Sequence, residues 1–400
     1  GINHRLGIVI ATQYNEKIRN HGRFPLLIKL GQMAALMDAE KHGADHVKND
    51  FLPESVGGNA FLMVHGISPD CGLLRGDAGG SIGGDDGVLD YWLSLGAAGY
   101  RLDVADELPD EFLDNLRACV KKFDEEKIVI GEVWEDASHK VAYGQMRSYV
   151  LGDTLDSVMN YPLRDALIAF LMAQKDAAAV AKELSSLAQN YPKPFLYALM
   201  NLMGSHDRPR ILNVLAGNDG SDIPRSQRAD HRLSQEERMI GALREQLMLR
   251  FVFSVPGMPC IYYGDEAGVE GCADPFCRRT YPWGREDQDM LARYKAMAAM
   301  RNGHPVLKTG ECAYIAPCSA VLGVIRKNEN GKDAFGKKAE NACAVTLINR
   351  SAREVVVYLT SADVSGAQTL VSDDGQIFTA RSGAFSVKIK GLQGMTMFAM

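Results

Sequence analysis

Residues 99–107, GYRLDVADE, and residues 128–134, IVIGEVW, decide the fold of this 400-residue chain. Each begins with an apolar run and places a carboxylate, Asp103 or Glu132, at the end of that run. The 29-residue spacing of these carboxylates suits one strand–helix unit. Because active sites of barrels built from such units form at the carboxyl ends of the strands, both carboxylates are candidate catalytic groups.

The same alternation continues through residues 85–302. Further apolar runs, each short enough for a strand, are residues 155–161, 195–203 and 258–263. Amphipathic segments that predict helices are residues 110–123, 165–187 and 235–253. The alternation of the two types predicts a parallel sheet covered by helices, and therefore an α/β fold.

The flanking regions have different patterns. After His304 and Pro305, short apolar runs separated by polar turns predict a small antiparallel β domain that needs no helix. These runs are residues 314–316, 321–326, 343–348, 355–359 and 395–400. Before residue 85, the sequence predicts strands at 6–11 and 60–65, a helix at 25–42 and a glycine-rich loop at 72–87. We therefore predict three regions: residues 1–84, of uncertain fold, 85–304 and 305–400.

A third polar cluster, GSHDR at 204–208, follows the apolar residues 198–203. Any one of Asp103, Glu132 and Asp207 taken alone is better explained as a helix cap or a structural ion pair. Three carboxylates at equivalent strand ends instead indicate a catalytic site. Arg101 and Asp103 have the same strand parity, so the guanidinium is expected to keep Asp103 ionised.

These segments resemble those of α-amylase family glycoside hydrolases. GYRLDVADE resembles the family's nucleophile segment, GEVW at 131–134 its acid/base segment, and SHD at 205–207 the segment that stabilises the transition state. LDSVMNYP at 155–162 and PCIYYGDEAG at 259–268 are similar to the neopullulanase, cyclomaltodextrinase and maltogenic amylase branch.

The resemblance extends over roughly residues 85–400. It implies a (β/α)8 TIM-type barrel followed by a small antiparallel β-sandwich. It also implies retaining hydrolysis of α-1,4-glucosidic bonds in maltodextrins, cyclodextrins or pullulan, with α-1,6 bonds left open. The resemblance identifies the enzyme class but not the preferred linkage.

By the same resemblance, Asp103 is the nucleophile and Glu132 is the acid/base. Retaining chemistry needs the two carboxyl groups about 5 to 5.5 Å apart. We expect the negative charge of Asp103 to raise the pKa of Glu132, so that Glu132 remains an acid near neutral pH. The sequence therefore predicts that the two carboxylates face each other at the mouth of the barrel, with Asp207 alongside.

Other residues are implied to bind the substrate. The resemblance assigns Asp207 and His206 to sugar hydroxyls and Arg101 to the orientation of Asp103. Trp134 has the same parity as Glu132 and is the best aromatic candidate for stacking on glucose. Core packing is the favoured interpretation of the other aromatic candidates, which are Tyr143, Tyr262, Tyr263 and Trp283. Asp265 and Glu266 are expected either at the rim of the site or in a supporting role.

The N-terminal region departs from the family pattern. The family's first signature, an Asp followed by Asn-His after the third strand, is missing, and residues 1–84 are too few for three complete strand–helix units. The sequence thus predicts a barrel that is incomplete at its N-terminal side, and a chain that is weakly active or inactive. A divergent, rebuilt barrel is the alternative.

Composition excludes several classes of partner. The net charge is −6, and the sequence contains neither a basic stripe for nucleic acid nor a long apolar run for a membrane. Eight cysteines include no Cys-x-x-Cys pair, so free thiols in a reducing cytoplasm are expected. We predict no metal ligands and no required cofactor, although calcium is left open. The expected partner is an α-glucan oligosaccharide, with a homodimer left open.

Two alternative functions use the same residues. A transglycosylase differs only in how well it excludes water from the intermediate. A non-catalytic glucan-binding protein would retain the barrel without the activity, although the three carboxylates argue against long loss of function.

Overall fold

The computed structural model describes the backbone of residues 62–64 and 88–400. The chain divides into two compact units. Of the described residues, the first unit contains those up to Asn160 together with Cys260–Tyr263, and the second contains Tyr161–Pro259 and Gly264–Met400. The predicted strand at 6–11, the helix at 25–42 and the glycine-rich loop at 72–87 lie outside the described residues.

The first unit contains a parallel four-stranded sheet. Its strands, in spatial order, are β1 (Leu62–Val64), β2 (Gly99–Leu102), β3 (Ile128–Gly131) and β6 (Ser157–Val158). In the chain, the segment that connects β3 to β6 contains a small antiparallel hairpin of β4 (Val141–Ala142) and β5 (Gln145–Met146). Two of the predicted apolar runs therefore form neighbouring strands, and they end on the same edge of the sheet.

Close packing explains two glycines of this sheet. A Cβ at Gly99 would lie 1.9 Å from the backbone oxygen of Ile128, and a Cβ at Gly131 would lie 2.5 Å from a methyl carbon of Leu155. Helices α1 (Val88–Ser94) and α2 (Asp110–Phe123) belong to the same unit. The bounds of α2 are those predicted, because its buried residues have helical spacing and its first turn carries acidic side chains that favour a helix start.

The second unit continues with helices and short strands. Its elements are α3 (Tyr161–Leu171), α4 (Ala177–Asn190), α5 (Lys193–Ala198), β7 (Met200–Leu202), α6 (Ile211–Ala216), α7 (Gln235–Val252), β8 (Met258–Cys260, whose last residue is assigned to the first unit), α8 (Gln288–Gly303) and α9 (Val306–Thr309). A capping box of Ser234 and Glu237 begins α7, because each side chain accepts a hydrogen bond from the backbone N–H of the other residue.

Two predictions in this region were wrong in part. The segment 165–187 is two helices, because α3 ends at Leu171 and the Asp176 side chain caps a new helix. The segment 195–203 is extended only over β7, and its first part belongs to α5. A proline in the first turn of α5 favours a helix start, whereas an apolar run alone does not distinguish helix from strand.

The last part of the chain is a β-sandwich. A six-stranded sheet has the order β14-β13-β16-β11-β10-β9, and β12 pairs with β15 in a second sheet. The strand bounds are β9 (Glu311–Cys318), β10 (Val321–Asn328), β11 (Ala342–Asn349), β12 (Val355–Thr360), β13 (Thr369–Ser372), β14 (Ile377–Thr379), β15 (Ala384–Ile389) and β16 (Gly394–Ala399). Buried side chains of both sheets form one apolar core.

The predicted antiparallel β domain is therefore present, with differences in detail. Strands β13, β14 and β15 were not predicted. The region was predicted to need no helix, and it contains only a short helix, α9, before β9 and a 3-10 turn, Ser361–Val364, after β12. Thr360 caps that turn through a capping box with Asp363.

Two buried arginines connect this β domain to the preceding helices. Arg301 of α8 and Arg326 of β10 are 1% and 0% exposed, and both donate to the backbone oxygen of Leu307. Their other main-chain acceptors, at 2.6 to 2.9 Å, are Phe253, Val255 and Gly257 for Arg301 and Ser254 and Gly310 for Arg326. Burial lowers the pKa of Arg301 to about 9. The turns around α9 are thus fixed by guanidinium groups.

We predict that Arg326→Met destabilises the protein by roughly 3 kcal/mol, because buried carbonyl groups lose their donors. Thermal unfolding measured by circular dichroism tests this prediction. The control is Arg381→Met, since the Arg381 side chain is exposed and its loss should leave the midpoint nearly unchanged. Equal midpoints for the two variants would contradict this interpretation of the buried arginine.

Candidate active site

The candidate site in the first unit is built around Arg101. This side chain is 3% exposed, and its guanidinium forms ion pairs with both Asp103, at 2.5 Å, and Glu132, at 2.8 Å. The sulfur of Met159 accepts from the Nε and Nη2 atoms at 3.4 Å. Since one guanidinium contacts both carboxylates, the structure brings together the two residues that the sequence proposed as nucleophile and acid/base.

Glu132 lies in a more enclosed environment than Asp103. The Glu132 side chain is 2% exposed, and the Asp103 side chain is 30% exposed. The Oε2 atom of Glu132 accepts from the backbone N–H of Val104 at 3.0 Å, and its Oε1 atom accepts from the indole N–H of Trp134 at 3.2 Å. The two carboxylates thus share a cation and differ in solvation.

Burial is the main cause of the raised pKa of Glu132. The positive charge of Arg101 and the hydrogen bonds from Val104 and Trp134 oppose this rise, and the charge of Asp103 adds a smaller rise. From the sequence, the charge of Asp103 is the expected cause of this rise. The predicted direction of the pKa shift is correct, but the desolvation of the carboxyl group is a larger effect than the charge of Asp103.

Val104 has an unusual backbone conformation. Its φ of 40° and ψ of 57° lie in the left-handed region, which β-branched residues rarely adopt. This conformation follows directly after Asp103 and accompanies the hydrogen bond from the Val104 N–H to Glu132. Strained backbone of this kind is typical of functional sites, so Val104 is a positioning residue that the side-chain pattern could not reveal.

The second unit contains His206 and Asp207, which follow β7. The Nε2 atom of His206 lies 3.1 Å from the Oδ2 atom of Asp207, and Arg278 contacts Oδ1 at 3.2 Å. The backbone oxygen of His206 accepts from Arg278 and from the thiol of Cys277, each at 3.0 Å. Arg278 was not among the predicted site residues, although the paired arginines at 278 and 279 were visible in the sequence.

A buried ion pair supports the loop that carries these residues. Asp265 is 2% exposed and lies 3.0 Å from the Nη1 atom of Arg210. A Cβ at Gly204 would lie 2.3 Å from the Oδ2 atom of Asp265, so only glycine fits there. Burial raises the pKa of Asp265 to about 6 and that of Glu266 to about 7. Of the two roles expected for Asp265, the supporting one fits this burial.

The described residues show no arrangement of three or more His, Cys, Asp or Glu side chains that could hold a metal ion. Seven cysteines are free thiols: Cys119, Cys260, Cys272, Cys277, Cys312, Cys318 and Cys343. Cys71 lies outside the described part. Within that part, each helix is either too short or too polar to cross a membrane.

The aromatic candidates differ in exposure. Tyr262 is fully buried, whereas Trp134 is 40% exposed, Trp283 is 45% exposed and Tyr143 is 74% exposed. Tyr263 packs edge-to-face on Tyr262, with ring centroids 4.8 Å apart. Core packing therefore explains Tyr262 but not Tyr143.

Comparison with known proteins identifies a family. The model of the α-amylase catalytic domain matches residues 84–302. An amylopullulanase of Thermoanaerobacter thermohydrosulfuricus is 33% identical over 336 residues, which are 80% of this chain and 22% of that protein. A cyclomaltodextrinase of Geobacillus thermopakistaniensis is 32% identical over 269 residues, which are 66% of this chain and 39% of that protein.

A solved cyclomaltodextrinase structure has a TM-score of 0.61 and 26% identity, covering 77% of this chain and 47% of that one. This chain thus spans about a fifth to a half of the length of these relatives. The catalytic domain of the matched family is a TIM-type barrel, as predicted. The predicted incompleteness concerns residues outside the described part and stays a prediction.

We predict that Gly204→Ala destabilises the second unit by about 1 to 3 kcal/mol, because the new methyl group would collide with the carboxylate of Asp265. Guanidinium unfolding followed by fluorescence measures the loss. Gly303→Ala is the matched control: a Cβ there meets no atom within 4 Å, and the residue ends α8. The control should be neutral or slightly stabilising, and a Gly204→Ala variant as stable as the control would contradict the prediction.

Proposed function

This chain belongs to the α-amylase family of glycoside hydrolases, and from that premise we propose that it cleaves α-1,4-glucosidic bonds of an α-glucan with retention of configuration. The observation that carries the proposal is the Arg101 guanidinium, which contacts both Asp103 and Glu132. One carboxylate partly open to solvent beside one enclosed carboxyl group is the arrangement that nucleophile and acid/base require.

In the proposed reaction, the Asp103 carboxylate attacks the anomeric carbon of the glucosyl residue. Glu132 donates its proton to the glycosidic oxygen, so the leaving sugar departs with a new hydroxyl group. The resulting β-glycosyl ester on Asp103 is hydrolysed when Glu132, now a carboxylate, takes a proton from the attacking water. Water adds to the anomeric carbon, Asp103 is released and the α anomer is formed.

The remaining assigned residues orient the catalytic carboxylates or bind the sugar. Arg101 holds Asp103 through the ion pair and also fixes the acid/base. Asp207 and His206 are assigned to the sugar hydroxyls by their resemblance to the family segment, and their mutual contact of 3.1 Å supports a shared role. Trp134 is assigned to substrate stacking, and its indole N–H also donates to Glu132.

The substrate class is inferred from the relatives. Their names, amylopullulanase and cyclomaltodextrinase, refer to starch, pullulan and cyclodextrins. We therefore assign maltodextrins, cyclodextrins or pullulan to this chain, with cleavage of α-1,6 bonds as a further proposal. The chain spans only part of these relatives, so we propose this activity for it without transferring theirs.

Several expectations from the sequence gain no support from the comparisons. These are weak activity or inactivity, a transglycosylase, and a non-catalytic glucan-binding protein. The homodimer and the bound calcium that the sequence leaves open, and the predicted cytoplasmic location, stay untested.

We predict that Asp103→Asn lowers kcat on maltoheptaose by at least about 10⁴-fold, because the amide cannot form the glycosyl ester. Release of reducing sugar measures the rate, and circular dichroism checks that the fold persists. The control, Asp153→Asn, replaces an exposed carboxylate of the same unit and should retain full activity. Turnover by Asp103→Asn close to that of the control would sink the assignment, as would a β anomer as first product in proton NMR.

We predict that Trp134→Phe moves the alkaline limb of kcat/KM to higher pH by up to about one unit. The indole hydrogen bond lowers the pKa of Glu132, so its removal raises that pKa and keeps the acid protonated to higher pH. The pH profile on a short maltodextrin measures the shift. Trp283→Phe, which alters a partly exposed indole of the second unit, should leave the limb in place. A limb that stays fixed or moves to lower pH in Trp134→Phe would refute this role.

A further inference from the structure

The β4–β5 hairpin of the first unit has a turn that its sequence does not favour. Val141 pairs with Met146 and Ala142 pairs with Gln145, which leaves Tyr143 and Gly144 as a two-residue loop. Both loop residues have positive φ, 53° for Tyr143 and 77° for Gly144. This is the φ pattern of a type I′ turn, in which Asn-Gly is the preferred pair.

Tyrosine is a poor choice for the first position of this turn. A bulky side chain in the left-handed region is disfavoured, whereas asparagine tolerates that conformation. The Tyr143 ring gains little from packing in return, since it is 74% exposed. Neither turn formation nor core packing therefore explains an aromatic residue at this position.

The exposed ring is nevertheless held in place. The Tyr143 hydroxyl donates a hydrogen bond to the carboxylate of Glu107. Beside the hairpin, Lys140, which directly precedes β4, contacts Asp106 at 2.8 Å, and the hydroxyl of Tyr149, three residues after β5, donates to Asp106 at 3.0 Å. An exposed aromatic side chain with a fixed orientation loses less conformational freedom on binding a ligand than a mobile one does.

These tethers attach the hairpin to the catalytic segment. Asp106 and Glu107 belong to the 3-10 turn, Ala105–Glu107, that follows Asp103 after a single residue. The Cα atoms of Asp103 and Glu107, four residues apart, are at most about 14 Å from each other. An oligosaccharide of several glucose units covers a distance of this order.

We propose that the Tyr143 ring is a stacking platform for one glucose residue of the α-glucan, at a subsite removed from the bond that is cleaved. The C–H face of a pyranose ring is apolar and packs on an aromatic face, while its hydroxyl groups remain hydrated. Glu107 orients the platform through the phenol hydroxyl. The inference rests on the proposed function and extends it to a residue that determines substrate length.

Calorimetry on the full chain tests the platform, with Asp103→Asn as a background that prevents turnover. In that background, Tyr143→Asn should weaken maltoheptaose binding about tenfold. The affinity for the single-ring inhibitor 1-deoxynojirimycin should not change, because one ring bound at the cleavage position does not reach Tyr143. The melting temperature should stay equal or rise, since Asn-Gly suits the turn.

Two variants complete the comparison. Tyr143→Phe keeps the ring and should bind maltoheptaose within about threefold of the parent. Tyr358→Asn removes an equally exposed tyrosine, 72% exposed on β12, and should leave both affinities unchanged.

The outcomes separate the two hypotheses. Equal maltoheptaose affinity of the Tyr143 and Tyr143→Asn chains, with 1-deoxynojirimycin still bound, would overturn the platform alone. A fall in melting temperature together with weaker binding of both ligands would assign Tyr143 to folding and would also overturn it. Absence of binding to either ligand in every variant would overturn the proposed function, and the platform with it.

Discussion

The candidate site depends on one buried guanidinium. Arg101 reaches Asp103 and Glu132 with different terminal nitrogens, and so fixes the position of each carboxylate relative to the other. Without that cation, two acidic groups at neighbouring strand ends would repel each other, and one of them would be buried without a counter-charge. The parallel pairing of β2 and β3 supplies the register, since Arg101 lies opposite Ile130 and Leu102 opposite Gly131. Glycine at 131 is part of the same constraint, because it lets the strand end pack against Leu155.

The main features of the first unit could be predicted from the sequence, because they depend on side-chain patterns. Helix α2 was predicted to the residue, since apolar spacing and charge both mark its ends. The cause of the raised pKa of Glu132 could not be predicted, because it depends on how completely the folded protein encloses that carboxyl group. The contribution of Val104 was also invisible, since it comes from a backbone N–H and not from the valine side chain. Residues 193–198 show a further limit: a short apolar segment fits a helix and a strand equally well until its proline is considered.

In the second unit, a buried ion pair supports the loop that carries the candidate residues His206 and Asp207. Asp265 and Arg210 form a fully enclosed ion pair against Gly204, directly before the loop that carries His206 and Asp207. A carboxylate of this kind is costly to bury, so its presence is better explained by the positioning of the loop than by a gain in stability. The motif PCIYYGDEAG therefore contains a structural acid, Asp265, and sequence patterns alone could not separate that role from a place at the rim.

The arginines at 301 and 326 have a consequence for the modular use of this fold. Both guanidinium groups donate to the backbone oxygen of Leu307, so the β-sandwich and the helices before it are joined by one hydrogen-bonded network. Cutting the chain at residue 304, where the apolar pattern changes from helical to strand spacing, would separate the two parts of this network. Carbonyl oxygens on each piece would then lack their donors. A chimera that transplants the sandwich onto another scaffold should therefore include residues 253–310. The position at which the sandwich can be exchanged between proteins therefore lies before residue 253, upstream of the change in sequence pattern at residue 304.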